Sequence, residues 1–377
     1  MSAYLDNSAT TKPSKEVADK IYEMLTEKFG NPSSFHHEGL EANLEVRKAR
    51  EIIAKSLSCE KEEIYFTSGG TEANNLAIFG AVEANKRKGK RIVSTAIEHE
   101  SVLQSIDELE KQGFEVIRLM PDEYGRISEA QIFEAVNQDT ILVSMMYVNN
   151  EVGSILPVKA IKKAVQRVNA PALIHIDCVQ AYGKLDVKPN KLGADLLTIT
   201  AHKVHGPKGI GALYIKKGVR IVPRVYGGEQ EKKIRPGTES APLIAGFGKA
   251  VELFPDFKKQ NQEIKALNAY AKEKLSEIDG VKINSGDDAS DYIINVYIPT
   301  FMTSQTVVQH FSSEYDVFVS NGSACAKGKK SHVLTAMHLN DNIIEKSIRV
   351  SFSRTTDKQD IDAFVHAVCE TVKKYPK

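Results

Sequence analysis

Asp195-Leu196-Leu197-Thr198-Ile199-Thr200-Ala201-His202-Lys203-Val204-His205-Gly206-Pro207-Lys208-Gly209-Ile210-Gly211 is a short apolar, β-branched run that stops at a lysine in a loop tightened by three glycines and a proline. The run is too short for a helix and lacks polar alternation, so it predicts a strand covered on both faces. Lys203 then sits just past the strand end. A lysine in a partly desolvated pocket has a depressed pKa, which yields the free amine that forms Schiff bases. Standing alone, an ordinary surface lysine is the simpler reading.

The same texture extends upstream. Strand-like runs at Ile64–Thr67, Arg91–Thr95, Glu115–Leu119, 141–148 and 172–177 alternate with helical stretches. That order predicts an α/β fold with a mostly parallel, helix-covered sheet. Before it, Ser14 caps a helix with apolar Val17, Ile21, Met24 and Leu25, halted by Gly30-Asn31-Pro32, and a second, more charged helix runs to about Ser56. After Pro255 the pattern changes. Residues 256–278 read as one long charged helix, followed by α+β texture with strands at 292–298, 317–320 and 347–352 and a last helix whose face carries Ile361, Phe364, Val365, Val368 and Cys369.

Composition narrows the function classes. Lys+Arg 50 against Asp+Glu 49 leaves a net charge of +1 over 377 residues, which gives no electrostatic argument for nucleic acid or a membrane surface. No apolar run approaches a membrane span, and Met1-Ser2-Ala3-Tyr4-Leu5-Asp6 lacks the features of a signal peptide, so the expected location is cytoplasmic. The four cysteines form no C-x-x-C pair, which removes the case for a disulfide framework or zinc ribbon, and no metal site is expected.

Several segments carry chemistry. Ser68-Gly69-Gly70-Thr71-Glu72 follows a strand and opens a helix; it is either a phosphate cradle of backbone N–H groups or a tight turn capped by Thr71. Asp177 ends the strand before Lys203, and both side chains fall at the carboxyl edge of the sheet, where open α/β folds bind ligands. A carboxylate facing a Schiff-base lysine suits pyridoxal phosphate, whose pyridine nitrogen it keeps protonated; the alternative is a helix cap. His99 also follows a strand and reads as a ring-stacking or proton-carrying group, or as a structural histidine. Asn150 and Gln180 are placed to hydrogen-bond a cofactor oxygen or to serve as turn residues. Cys325, in a polar loop beside Lys327, Lys329 and Lys330, is the one cysteine in a setting that favours the thiolate. Arg349, within a strand, either grips a carboxylate bidentately or forms a structural salt bridge.

Together, Tyr4-Leu5-Asp6-Asn7-Ser8-Ala9-Thr10-Thr11, Phe29-Gly30-Asn31-Pro32, the Ser-Gly-Gly-Thr-Glu turn, Glu98-His99, Val148-Asn149-Asn150-Glu151, the Asp177 strand, His202-Lys203, Arg235-Pro236-Gly237-Thr238-Glu239 and Gly322-Ser323-Ala324-Cys325 resemble the NifS-like cysteine desulfurases of the class V aminotransferase family. The resemblance implies an aspartate aminotransferase-like, fold-type I architecture with a mostly parallel seven-stranded sheet. It implies a large domain over 13–256 and a smaller α+β domain built from 1–12 and 257–377. By the same resemblance, Lys203 carries pyridoxal 5'-phosphate, Asp177 pairs with its ring nitrogen and His99 stacks on it. Gly70, Thr71, Thr200 and His202 hold the phosphate, Asn150 and Gln180 contact ring substituents, and Thr238 reaches the phosphate of a neighbouring subunit in a homodimer. Arg349, with Asn150, binds substrate, and Cys325 takes the sulfur of L-cysteine as a persulfide, releasing L-alanine. An acceptor protein, either an iron–sulfur scaffold or a tRNA-thiolation enzyme, then receives it. A selenocysteine lyase of the same fold and a noncatalytic partner that keeps the fold are the competing readings. Cys178, where relatives carry a small residue, and Pro236 depart from the family pattern.

Overall fold

The strands in chain order are β1 (Ala3–Tyr4), β2 (Ile64–Thr67), β3 (Arg91–Thr95), β4 (Glu115–Leu119), β5 (Thr140–Met146), β6 (Leu173–Asp177), β7 (Leu196–Thr200), β8 (Gly211–Ile215), β9 (Lys282–Ile283), β10 (Ile293–Tyr297), β11 (Val317–Phe318) and β12 (Ser347–Ser351). This is a computed structural model that describes residues 2–322 and 330–376.

Seven of these strands form one sheet in the order β2-β8-β7-β6-β5-β3-β4. All neighbours are parallel except β8, which runs antiparallel to both β7 and β2. Strands β5, β7 and β8 are buried at every position, as unalternating apolar runs require. Asp177 and Lys203 follow from β6 and β7, which are parallel neighbours, so both fall at the same edge of the sheet as expected. Strand β8 was missed by the sequence reading, because its first residue belongs to the glycine-rich loop that hides the apolar run behind it.

Ser14 caps helix Lys15–Thr26 as expected, its hydroxyl accepting from the Val17 N–H. Only Val17 and Met24 of that helix are buried, while Leu25 is 60% exposed, so the apolar stripe is wider than the face this chain covers. The helix after β2 begins at Gly70 with Gly69 as its cap residue, which displaces Thr71 from the capping role. The long charged helix is Phe257–Ser276, capped by Asp256.

The C-terminal region is α+β. Its antiparallel sheet has the order β12-β10-β9, and the last helix, Lys358–Lys374, buries Ile361, Phe364 and Val368, with Val365 and Cys369 half-buried. The N-terminus is sewn onto this region. Strand β1 pairs in parallel with β11, Asp6 bridges to Ser351, and the Asn7 amide donates to the Ser351 carbonyl at 2.9 Å.

Candidate active site

Asp177 closes β6 and Thr200 closes β7, and the next turn, Ala201–Lys203, carries the lysine to the same edge of the sheet. A cavity of about 310 Å³ lies there. Its lining includes Gly70, Thr71, His99, Asp177, Thr200, His202 and Lys203, together with Asn150 and Gln180 from neighbouring loops and Arg349 from β12. The volume falls at the lower end of the range for small-ligand sites.

The acid–base groups form one chain of hydrogen bonds. Asp177 Oδ1 accepts from the Val179 N–H at 2.9 Å, closing a turn; no helix starts there, so the residue is not a helix cap. Its Oδ2 accepts from Asn74 Nδ2 at 2.8 Å, and the second hydrogen of that amide goes to Ser101 Oγ at 2.9 Å. The Ser101 hydroxyl is then left to donate to His99 Nδ1, 2.9 Å away, and the Ser101 N–H points at the same nitrogen at 3.1 Å. With Nδ1 accepting, the network assigns the ring proton to Nε2. Burial depresses the His99 pKa, with Asp177 opposing and Lys203 adding to the effect, so the ring is held neutral.

The lysine amine donates to the backbone carbonyls of Ser8 and Ala9, the latter at 2.7 Å. Gln180 Nε2 shares the Ser8 carbonyl at 2.9 Å. His202, placed by a 3.3 Å contact from its Nδ1 to Thr10 Oγ1, is pushed down to about 3 by burial and by the charges of Lys203 and Lys208, and so adds no charge.

Opposite, the Ser-Gly-Gly-Thr-Glu turn is held from two sides. Gly69 has φ +154°, a conformation that side chains disfavour, and Gly211 passes so close beneath it that a Cβ there would lie 2.9 Å from the Gly69 backbone. Glu72 accepts from the Ser68 N–H and pairs with Arg235 Nε at 2.9 Å, tying the 235–239 segment to the turn. The N-terminus of helix Gly70–Asn85 thus faces the cavity with backbone N–H groups suited to an anion.

Arg349 is almost wholly buried. Its Nη2 pairs with Asp6 at 2.8 Å and its Nη1 donates to the carbonyls of Asn150 at 2.9 Å and Gly322 at 3.4 Å. Its Nε has no partner among the described residues. The structural ion pair is therefore present, and it belongs to a guanidinium that also lines the cavity.

Two predicted residues stand apart. Thr238 is exposed and does not line the cavity of its own chain, and Cys325 lies outside the described residues. Of the three described thiols, two are poor nucleophile candidates: burial pushes Cys178 well up, with Asp177 adding to it, and lifts Cys59 to about 12. Sequence reasoning missed Asn74, Ser101, Glu98, Glu151 and His332. Asn74 left a signal, since it lies one helical turn beyond Gly70. Glu151 is buried and accepts from the Ser331 hydroxyl, and His332 Nε2 meets the Glu98 carbonyl at 2.9 Å, so the residues after 323–329 are seated against the pocket.

The family described as aminotransferase class-V matches residues 3–364. The chain is 40% identical over 375 residues to a cysteine desulfurase IscS of Methanosarcina thermophila, covering 98% of this chain and 92% of that protein. It is 39% identical to a cysteine desulfurase IscS of Dictyoglomus turgidum, over 98% and 94%. Among solved structures it resembles a NifS-like protein with TM-score 0.93 and 34% identity, over 99% of this chain and 100% of that one. It also resembles SspA in complex with cysteine, with TM-score 0.82 and 35% identity over 94% and 100%. The chain belongs to the class-V aminotransferase family and, within it, to the NifS-like cysteine desulfurases.

Proposed function

We propose that this protein is a pyridoxal phosphate-dependent cysteine desulfurase, converting L-cysteine to L-alanine and passing the sulfur to Cys325 as a persulfide. The observation that carries it is the convergence of Lys203, Asp177, His99 and Arg349 on one cavity, although they come from distant parts of the chain. The residues fit the cofactor: an amine on a strand-end turn, a carboxylate on the neighbouring strand end and a helix N-terminus for the phosphate. When bound, pyridoxal phosphate supplies an electron sink for negative charge developing at the substrate Cα.

The chain's own residues do the rest. Lys203 holds the cofactor and, once released, moves the Cα proton, with neutral His99 placed to assist. Asp177, oriented by Asn74 and the Val179 N–H, would pair with the ring nitrogen. Gly70, Thr71, Thr200 and His202 bind the phosphate, while Asn150 and Gln180 orient the ring substituents. Arg349 grips the substrate carboxylate, a charge-assisted contact of ~1.5–3 kcal/mol. The Cys325 thiolate attacks the substrate sulfur: an S–S bond forms, the C–S bond breaks, and its electron pair stays with the carbon skeleton that leaves as alanine after protonation.

Three further parts belong to the same reading. The chain acts as a homodimer in which Thr238 reaches the neighbouring subunit's phosphate, supported by its exposure and by exposed Tyr22, Leu25, Phe29 and Phe35. The large domain is 13–256 and the small one 1–12 with 257–377, supported by the pairing of β1 with β11. A sulfur-acceptor protein takes the persulfide in the cytoplasm; no helix among the described residues is long and apolar enough to cross a membrane. Mass spectrometry of cysteine-treated protein tests the core of the proposal: one added sulfur atom on the Cys325 peptide is the expected result, and unmodified Cys325 after alanine has been released would overturn it.

A further inference from the structure

Lys184 is buried, 6% exposed, and makes no ion pair among the described residues. Its Nζ donates to Gln180 Oε1 at 3.1 Å and sits 5.4 Å from the centroid of the Tyr292 ring. Taking an ammonium out of water without a carboxylate is costly, and burial, with Arg349 adding to it, pulls the group down to about 8. A lysine kept in such a place does something a methionine would not.

What it touches gives the answer. The Gln180 amide lies between a group that only donates, the Lys184 ammonium, and one that only accepts, the Ser8 carbonyl 2.9 Å from Nε2. An amide between those partners has one orientation, because the flipped form would put –NH2 against –NH3⁺ and oxygen against oxygen. The Ser8 carbonyl is also the acceptor of the Lys203 amine, so the orientation of Gln180 is tied to the group that holds the cofactor.

We propose that Lys184 is a positioning residue for Gln180, locking its amide with the nitrogen turned toward the Lys203 side of the pocket so that a hydrogen-bond donor is presented to the bound cofactor. This rests on the cofactor reading above. Without Lys184 only the Ser8 carbonyl opposes the flipped amide, so the donor is held toward the pocket less firmly and for less of the time.

The test is a double-mutant cycle read by pH titration of the visible absorbance of the substrate-free holoenzyme. Lys184→Met should move the midpoint upward by roughly half to one pH unit, the span of one hydrogen bond of ordinary strength. A donor withdrawn from the cofactor leaves more negative charge near the Lys203 linkage, which then holds its proton more tightly. Lys184→Gln, which still offers an N–H to Gln180 Oε1, should restore the wild-type midpoint. In a Gln180→Ala background the effect of Lys184→Met should vanish. An undiminished shift in that background, or no shift in the wild-type one, would overturn the proposal. Neutron diffraction of the unmutated protein gives a reading independent of how the variants fold: Oε1 must face Lys184, and the reversed amide would refute the assignment. Wild-type protein that takes up no cofactor would instead refute the cofactor reading, leaving the neutron result to decide the amide.

Discussion

The pocket has two unlike walls. Along the carboxyl edge of the seven-stranded sheet, Asp177, Asn74, Ser101 and His99 hand hydrogen bonds to one another with both Asp177 oxygens and both Asn74 hydrogens engaged. On the β12 wall one cation, Arg349, is shared among Asp6, the Asn150 carbonyl and the Gly322 carbonyl, with no partner for Nε among the described residues. The first arrangement fixes protonation state and direction, as a resident cofactor needs. The second leaves a charge able to take on another carboxylate, as a substrate that comes and goes needs.

Breaking the sheet-edge wall should have the largest effect. On the proposed reading Lys203→Ala removes the cofactor's attachment and the proton carrier together, so the visible absorbance of the holoenzyme should disappear and turnover should fall by about a thousandfold or more. A variant that keeps the band would show that another amine holds the cofactor. Cys325→Ser should separate the two walls: the absorbance stays and the persulfide is lost, and sulfide release at the wild-type rate would remove Cys325 from the reaction. Arg349→Leu probes the opposite wall. The expected result is a KM for cysteine raised roughly ten- to hundredfold, the worth of charged hydrogen bonds to a carboxylate. The absorbance of the cofactor should be unchanged in that variant, and an unaltered KM would count against substrate binding. Because Asp6 would be left beside an apolar side chain, a lower unfolding temperature is expected as well.

The two walls also differ in how readily they are read from sequence. On the sheet side the strands announce themselves as short apolar runs, and polar residues at or just past the run ends fall at the ligand-binding edge, which is how Asp177, His99 and Lys203 are legible. Asn74 is not: it lies one turn beyond Gly70, yet most of the buried residues of helix Gly70–Asn85 are apolar, and that pattern reads as core. Strand β8 was hidden by the glycines that let it approach Gly69. On the β12 wall the arginine was legible and its surroundings were not. Asp6 stands at the other end of the chain, and only the docking of β1 onto β11 and of Asp6 beside β12 brings that carboxylate to it. Local spacing carries strand ends; it cannot carry a contact made by folding the N-terminus onto the C-terminal region.

A smaller effect sharpens the comparison from within the sheet edge. Glu98, next to His99, is fully buried; its Oε1 accepts from Thr95 Oγ1 at 2.7 Å and from the Met146 N–H at 3.0 Å, while Oε2 has no partner among the described residues. Burial, with Asp177 adding to it, raises the carboxyl to about 8, so it is protonated at neutral pH. In the unfolded chain it ionises near 4.5. Between those values the folded state binds the extra proton, so Glu98 lowers stability progressively as pH rises, by at most about 1.4 kcal/mol per pH unit, and the fall stops above about 8. Glu98→Gln keeps an acceptor toward Thr95 and Met146 and places an N–H where the protonated acid has its O–H, so the amide's fixed cost resembles that of the acid it replaces. The stability of the variant relative to wild type should therefore increase from about pH 4.5 to pH 8 and level off beyond, measured as unfolding midpoints across that range. Parallel curves for the two proteins would mean that Glu98 is already ionised in the fold, and the sheet edge would then hold a second buried negative charge beside Asp177.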